Sequence, residues 1–388
     1  MTGYLVLQNG TVMKGEYFGA QGEVTGEVVF ATGMTGYLET LTDPSYHGQI
    51  VLQTFPLIGN YGVIPPDFES AAVGARAYIV KYPCQNPSNF RSQGDLDAFL
   101  RERGITGLCG IDTRALTRII RENGVMNGKI TAALPTPADI AEAKAYSILN
   151  AVAAVSSRSV TKVLPGAVQE EFFTTEDTEF HGGKDGFRTK TPCSSVYSVV
   201  NSCLLNTSRK RVALMDFGAK RGIAKALAAR GCEVWLFPHD AGAQEILNMK
   251  PDGIMLSNGP GDPAESANNG IIETIRTLQK GKAPIFGICL GHQLMALANG
   301  YSTKKLKFGH RGANQPVKEL STGRVYITSQ NHGYAVVTDK GSFVNVNDGT
   351  CEGMDYGNSF SVQFHPEACG GPLDTSFLFD RFIARMGE

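Results

Sequence analysis

The stretch "APIFGICLGHQLMALANG", residues 283–300, decides how the second half of the chain is read. A strand-length apolar run, "PIFGI", passes at once into a helix-length run, "GHQLMALANG", that stops at Gly300. Cys289 stands at the junction, with Gly287 and Gly291 two residues to either side. A G-x-nucleophile-x-G spacing is that of a strand–elbow–helix turn, in which a β-carbon at either glycine would clash with the crossing strand and helix. The position also offers the thiol a helix N-terminus, whose partial positive charge favours thiolate. The next backbone N–H, at Leu290, can face a developing oxyanion. The competing reading is a buried structural cysteine, which is how lone cysteines in apolar runs usually serve.

Working outward, "RVALMDF", "KRGIAKALAARG", "CEVWLF", "GAQEILNMK", "GIMLS" and "NNGIIETIRTLQKG" alternate strand and helix signals with short turns. That alternation predicts an α/β fold with a doubly wound, mostly parallel sheet over residues 210–388. Sites in such sheets lie at the carboxyl ends of strands, where Cys289 falls. Beyond Gly300 the chain turns β-rich ("RVYITSQ", "YAVVT", "SFSVQF") and closes on "DTSFLFDRFIARM". Phe379, Phe382, Ile383 and Met386 share one face of that last helix.

Residues 1–152 differ in texture and predict a separate, mixed α+β domain. "YLVLQNGTVMKG" reads as a hairpin turning at Asn9-Gly10, and "EVVFATG" and "GQIVLQTF" as further strands. Helices are expected after Asp95, Asp112 and Thr136, the last with Pro137 at its first position; Gly104 and Gly124 stop the first two. Residues 153–209, with the polar run "QEEFFTTEDTEFHGGKDGFRTKTP", read as a linker with an insertion.

The 388 residues are 42% hydrophobic and 19% charged with net charge −1. This is the balance of an ordinary globular protein, with no field to attract nucleic acid or an anionic membrane. No apolar run approaches 18 residues, and the N-terminus lacks a secretory pattern. Eight scattered cysteines without a C-x-x-C pair argue for reduced thiols and a cytoplasmic location.

A cysteine nucleophile needs a base, and the base an orienter. His365 ends the apolar run in "SFSVQFHPE", and Glu367 follows beyond Pro366. Proline biases His365 towards an extended conformation, in which residues two apart point the same way, so imidazole and carboxylate could pair. A surface turn is the alternative reading of His-Pro-Glu. His292, three residues after Cys289, could be half of a zinc site, but no second pair of ligands has suitable spacing. No metal ligand is therefore assigned. His47, His239 and His310 are expected in turn-like segments as satisfied polar groups. "LSNGPGDP", residues 256–263, is a second glycine-rich loop at a strand end. It lacks the Walker lysine; its N–H groups could complete an oxyanion hole, or it could be a tight turn.

Taken together, "SNGPGDP", "GICLGHQ" and "FHPE" resemble the class I, triad-type glutamine amidotransferases. "FGHRGANQPV", "TSQNHGYAV" and "MDFGAKRGI" narrow the likeness to the small, glutamine-hydrolysing subunit of carbamoyl-phosphate synthetase. The N-terminal "GEVVFATGMTGYLETLTDPSYHGQIVLQTFPLIGNYG" resembles that subunit's own first domain, which other amidotransferases lack. The resemblance implies Cys289 as nucleophile, His365 as its base and Glu367 as orienter. It implies glutamine-binding positions at Ser45, Gly259, Gly261, Leu290, Gln293, Asn331, Gly333 and Tyr334, the last standing where many relatives have phenylalanine. Because Ser45 lies in the first domain, the substrate cleft should form between domains. The implied partners are L-glutamine and a large synthetase subunit, which would hold ATP and its metal ions; this chain should carry no cofactor. An amidotransferase of another pathway, a non-catalytic regulatory subunit and a free-standing cysteine hydrolase are the rivals. The stretch "CSSVYSVVNSCLLNTSRKR" has no counterpart in the resemblance.

Overall fold

The computed structural model describes residues 1–165, 209–368 and 370–387; the polar insertion at 166–208 lies outside the described residues. In the first domain seven strands close a barrel. Their order around it is Thr2–Leu7, Val12–Gly19, Thr106–Cys109, Ala77–Ile79, Gln49–Gln53, Val24–Ala31, Met126–Thr131. The hairpin at Asn9-Gly10 forms as expected, with Val6 opposite Val12 and Gly10 at φ 87°. The strands that follow are buried on both faces. Val28, Ile50, Leu52 and Ile79 pack into one cluster with Leu116 and Ile120. The alternate residues Val29, Val51 and Tyr78 pack into another with Tyr37, Leu41 and Phe99. A period of two on a doubly covered sheet accounts for their continuous apolar sequence. The predicted caps are present: Asp95 accepts from Ala98 N–H at 2.8 Å, Asp112 from Ala115 N–H at 2.9 Å, and Thr136 forms a capping box with Asp139.

The second domain is a ten-stranded sheet whose central strands are parallel. Glu233–Pro238, Arg211–Asp216, Gly253–Leu256, Ile285–Ile288 and Phe360–Val362 lie side by side in that order. Helices cover both faces, and the apolar face of Phe377–Arg385 supplies Leu378, Phe379 and Phe382 to one of the two cores. Two differences from the sequence reading matter. Thr161–Val163, inside the stretch read as linker, is an antiparallel edge strand on Glu233–Pro238. "RVYITSQ" and "YAVVT" are one strand, Val325–Val337, paired with an 18-residue strand, Ser302–Glu319. His310 therefore lies within a strand and not in a turn. The register of that pair shifts between Lys305 and His310 and again between Gly312 and Gln315, as at β-bulges, which re-aim side chains. No helix among the described residues is long and apolar enough to cross a membrane.

Candidate active site

Cys289 ends the strand Ile285–Ile288 and begins the helix Leu290–Ala298 at φ 54°, ψ −104°, a strained backbone conformation for a residue with a β-carbon. Its neighbours dictate the strain. A β-carbon on Gly287 would stand 2.8 Å from Gly291 O, and one on Gly291 only 2.4 Å from Leu256 O. The elbow is pinned by Cys289 N–H on Val362 O at 2.9 Å and Gly291 N–H on Ser257 O at 3.0 Å. The thiol is buried, with Sγ 3.7 Å from Asn331 O, yet it lines a cavity of about 340 Å³.

His365 is held by its own N–H on Ser329 O at 2.9 Å. Its Nδ1 meets Glu367 Oε1 at 2.6 Å, both side chains being buried. The pair forms as expected but by another route: residues 366–367 make a turn that folds the carboxylate back, with Ala368 at φ 37°. Burial and the Lys220 ammonium push the imidazole's pKa down, but Glu367 and the Cys289 thiol outweigh them and carry it up to about 10. For Glu367, burial works upward, while His365 and Lys220 hold the carboxyl below its ordinary range. Nε2 of His365 has no other hydrogen-bond partner among the described residues and is left for the thiol.

Behind this pair lies a charge relay between domains. Lys220 Nζ stands 3.6 Å from Glu367 Oε1 and 3.5 Å from Asp43 Oδ2. Asp43 also accepts from Asn331 Nδ2 at 2.9 Å and, through its other oxygen, from Ser45 N–H at 2.9 Å. Ser45 Oγ in turn accepts from Asn258 Nδ2 at 2.9 Å. A single short 3-10 turn of the barrel domain, Pro44–Tyr46 with Asp43 as its cap, thus reaches three segments of the sheet domain.

Seven of the eight positions implied for glutamine binding line the cavity with Cys289; Leu290 does not, and opens the helix beside it. Gly259 is required by close approach, since a β-carbon there would stand 2.2 Å from Phe217 O. Gln293 Nε2 is engaged with Tyr334 O at 2.8 Å and Gln363 Oε1 at 2.9 Å, so it braces the strand carrying Asn331, Gly333 and Tyr334. A smaller cavity of about 60 Å³ shares Asn331 and is lined by Glu39, Asp43, Lys220 and His365. It adjoins an open pocket through Gly36, Glu39 and Gly370. Burial pushes the Glu39 carboxyl up to about 7.

Sequence reading missed Asp43, Lys220, Asn258 and Arg311. Their only signal was proximity to quoted motifs: Asp43-Pro44-Ser45 has the form of a capped turn, and Lys220 sits in "MDFGAKRGI". His292 is buried, with Nδ1 2.8 Å from Ser361 Oγ, and burial alone takes its pKa to about 3; it is a neutral core histidine. His310, His332 and Glu352 are the three grouped side chains, among the described residues, that could hold a metal. Hydrogen bonds already occupy much of the set. His332 meets Tyr334 O and Gln330 Oε1 at 2.7 and 3.0 Å, and His310 Nε2 meets Asp348 Oδ2 at 2.9 Å.

The geometry can perform nucleophilic attack on an amide by a thiol, with proton transfer through His365. Comparison with known proteins agrees with this architecture. The family model for the carbamoyl-phosphate synthase small chain, CPSase domain, matches residues 5–130, and that for class-I glutamine amidotransferase matches residues 213–385. The carbamoyl phosphate synthase small chain of Clostridium perfringens is 45% identical over 392 residues, covering 99% of each chain. That of Fusobacterium nucleatum is 45% identical over 393 residues, covering 98% of this chain and 97% of its own. The carbamoyl phosphate synthase pyrimidine-specific small chain of Halalkalibacterium halodurans is 46% identical over 393 residues, covering 98% and 96%. With such likeness along nearly its whole length, the chain belongs to the carbamoyl phosphate synthase small-chain family, and its second half is a class I glutamine amidotransferase domain.

Proposed function

We propose that this chain hydrolyses glutamine to glutamate and ammonia through a Cys289–His365–Glu367 triad. The ammonia then passes to a large synthetase subunit that makes carbamoyl phosphate from bicarbonate and ATP. The observation that carries the reading is the 2.6 Å His365–Glu367 contact facing a thiol on a strained elbow at the wall of a substrate-sized cavity. Cys289 attacks the side-chain amide, and the Leu290 and Gly261 N–H groups stabilise the oxyanion. His365 protonates the departing ammonia and then activates water to release glutamate. Glu367 keeps the imidazole in the required tautomer and stabilises its charged form. The second cavity, which meets the triad at His365 and opens past Glu39, is suited to let a small neutral product leave away from the glutamine entrance.

In this reading the chemistry at Cys289 uses no cofactor or metal on this chain, and ATP with its metal ions belongs to the large subunit. The complex works in the cytoplasm, and its product feeds arginine synthesis, pyrimidine synthesis or both. The test is glutamate release by this chain alone and then with stoichiometric large subunit, bicarbonate and ATP. Slow release alone and faster release in the complex are expected. Equal full-rate turnover in both would favour a free-standing hydrolase, and no turnover in either would favour a regulatory subunit.

A further inference from the structure

Where the two long strands of the sheet domain pair, three buried side chains converge. His310 and His332 are register partners, with ring centroids 4.9 Å apart, and Glu352 comes from the strand Cys351–Asp355. Ligand atoms of the three lie within 4.8 Å of one another. Their outer contacts fix which atoms face inward. His310 Nε2 donates to Asp348 Oδ2 at 2.9 Å, so the Nδ1 of the neutral ring is a lone pair. That atom makes no hydrogen bond and faces Glu352 Oε1 at 3.5 Å; the residue is 8% exposed. His332 Nδ1 donates to Tyr334 O at 2.7 Å, since a carbonyl can only accept, so its Nε2 is a second lone pair. Yet Gln330 Oε1, another acceptor, stands 3.0 Å from that nitrogen. Turning the amide over only moves the conflict, because Gln330 Nε2 already donates to Glu352 Oε2 at 3.0 Å. Glu352 is fully buried and also accepts from Asn345 Nδ2 at 3.1 Å. A single proton relieves one of these contacts, whereas a metal ion meets them together.

We propose that His310 Nδ1, His332 Nε2 and Glu352 Oε1 bind a structural divalent transition-metal ion, zinc, with Gln330 Oε1 as the fourth ligand. Two imidazole nitrogens and two oxygens suit that ion, and bonds of about 2.0–2.1 Å in a tetrahedron set ligand atoms about 3.3 Å apart. The pairs His310–Glu352 and His332–Gln330, at 3.5 and 3.0 Å, bracket that spacing. The remaining contacts are those of metal-bound histidines, whose second ring N–H goes to a carboxylate or a backbone carbonyl. Asp348 and Tyr334 O fill those two roles. The ion pins the bulged strand pair, whose register shifts lie on either side of His310, and through His332 it holds the segment that carries Asn331 and Gly333. No step at Cys289 runs through it, so the inference stands apart from the glutaminase reading.

The test is zinc binding by the full chain with Cys289 first blocked by iodoacetamide, so that this thiol takes no metal. After dialysis against zinc and desalting, elemental analysis should give about one zinc per chain. The zinc-loaded protein should melt about 5 °C above the chelator-treated protein. Cobalt(II) in its place should show the visible bands of a tetrahedral ion without a thiolate charge-transfer band. Asp348→Asn is the sharpest variant. Asp348 Oδ1 accepts from Thr350 N–H at 3.0 Å and from its Oγ1 at 2.8 Å, which keeps the new amide oxygen there and turns the amide nitrogen towards His310 Nε2. His310 then takes the opposite tautomer and loses its Nδ1 lone pair, and zinc affinity should fall about 10-fold or more. His310→Gln should abolish retention. A wild-type chain that retains no zinc, or equal zinc affinity in wild type and Asp348→Asn, overturns the proposal and leaves a protonated His310 between Asp348 and Glu352.

Discussion

The two domains divide the labour unequally. The sheet domain carries the proposed nucleophile, base and orienter on adjoining strand ends, and its elbow owes its shape to its own glycines. In the proposed mechanism the barrel domain brings no group to the bond-breaking step; its Ser45 and the capping Asp43 enter through one short turn. Yet Asp43 touches Asn331 of the strand lining the Cys289 cavity and Lys220 beside Glu367, so the barrel domain holds both walls of the candidate site. A reacting group can be local to one domain while its positioning is spread over two.

Removing the chemistry should show the largest effect. Cys289→Ser in the reconstituted complex should lower glutamine-dependent synthesis by about 1,000-fold or more, because a hydroxyl is a far weaker nucleophile than a thiolate. Synthesis from added ammonium should persist; retained use of glutamine would remove Cys289 from the role. The comparison is attacked more directly from the barrel side. Asp43→Ala removes the acceptor shared by Asn331, Ser45 and Lys220, and a displacement of about 1 Å can cost on the order of 100-fold in rate. Steady-state glutaminase assays should show that loss with ammonium-dependent synthesis intact. A variant within twofold of wild type would mean that the sheet domain organises the site alone.

Ser45→Ala is a milder break. It leaves Asn258 Nδ2 its bond to Gly218 O at 3.0 Å and should weaken glutamine binding by about 1 kcal/mol, a few-fold in KM. The smallest effect is a slope with pH. The pKa of His365 rises from its ordinary 6.5 to about 10 in the folded chain, so folding favours its protonated form. The stabilisation is whole below about pH 6.5 and is lost as pH climbs towards 10. The melting-temperature difference between wild type and His365→Gln should accordingly shrink over that window. A difference that widens with pH would place a neutral imidazole in the resting site.

The sequence by itself determined the sheet domain, because strand and helix periods alternate there with short connections and each element declares its own type. It also marked Cys289, His365 and Glu367, since an elbow and a His-Pro-Glu corner are local features. The barrel's closure was not legible. Strands such as Ala77–Ile79 and Thr106–Cys109 are three or four residues long, and parallel pairing joins segments far apart in the chain. Lys220, Asn258 and Arg311 lie inside motif stretches, but nothing in those runs says which partners they take. Only the tertiary structure gave them partners: Asp43 and Glu367 for Lys220, the Ser45 hydroxyl for Asn258 and the Phe308 carbonyl for Arg311. Whether a buried charge is met depends on what lies across a cleft, and that follows from the packing of two domains rather than from any run of residues.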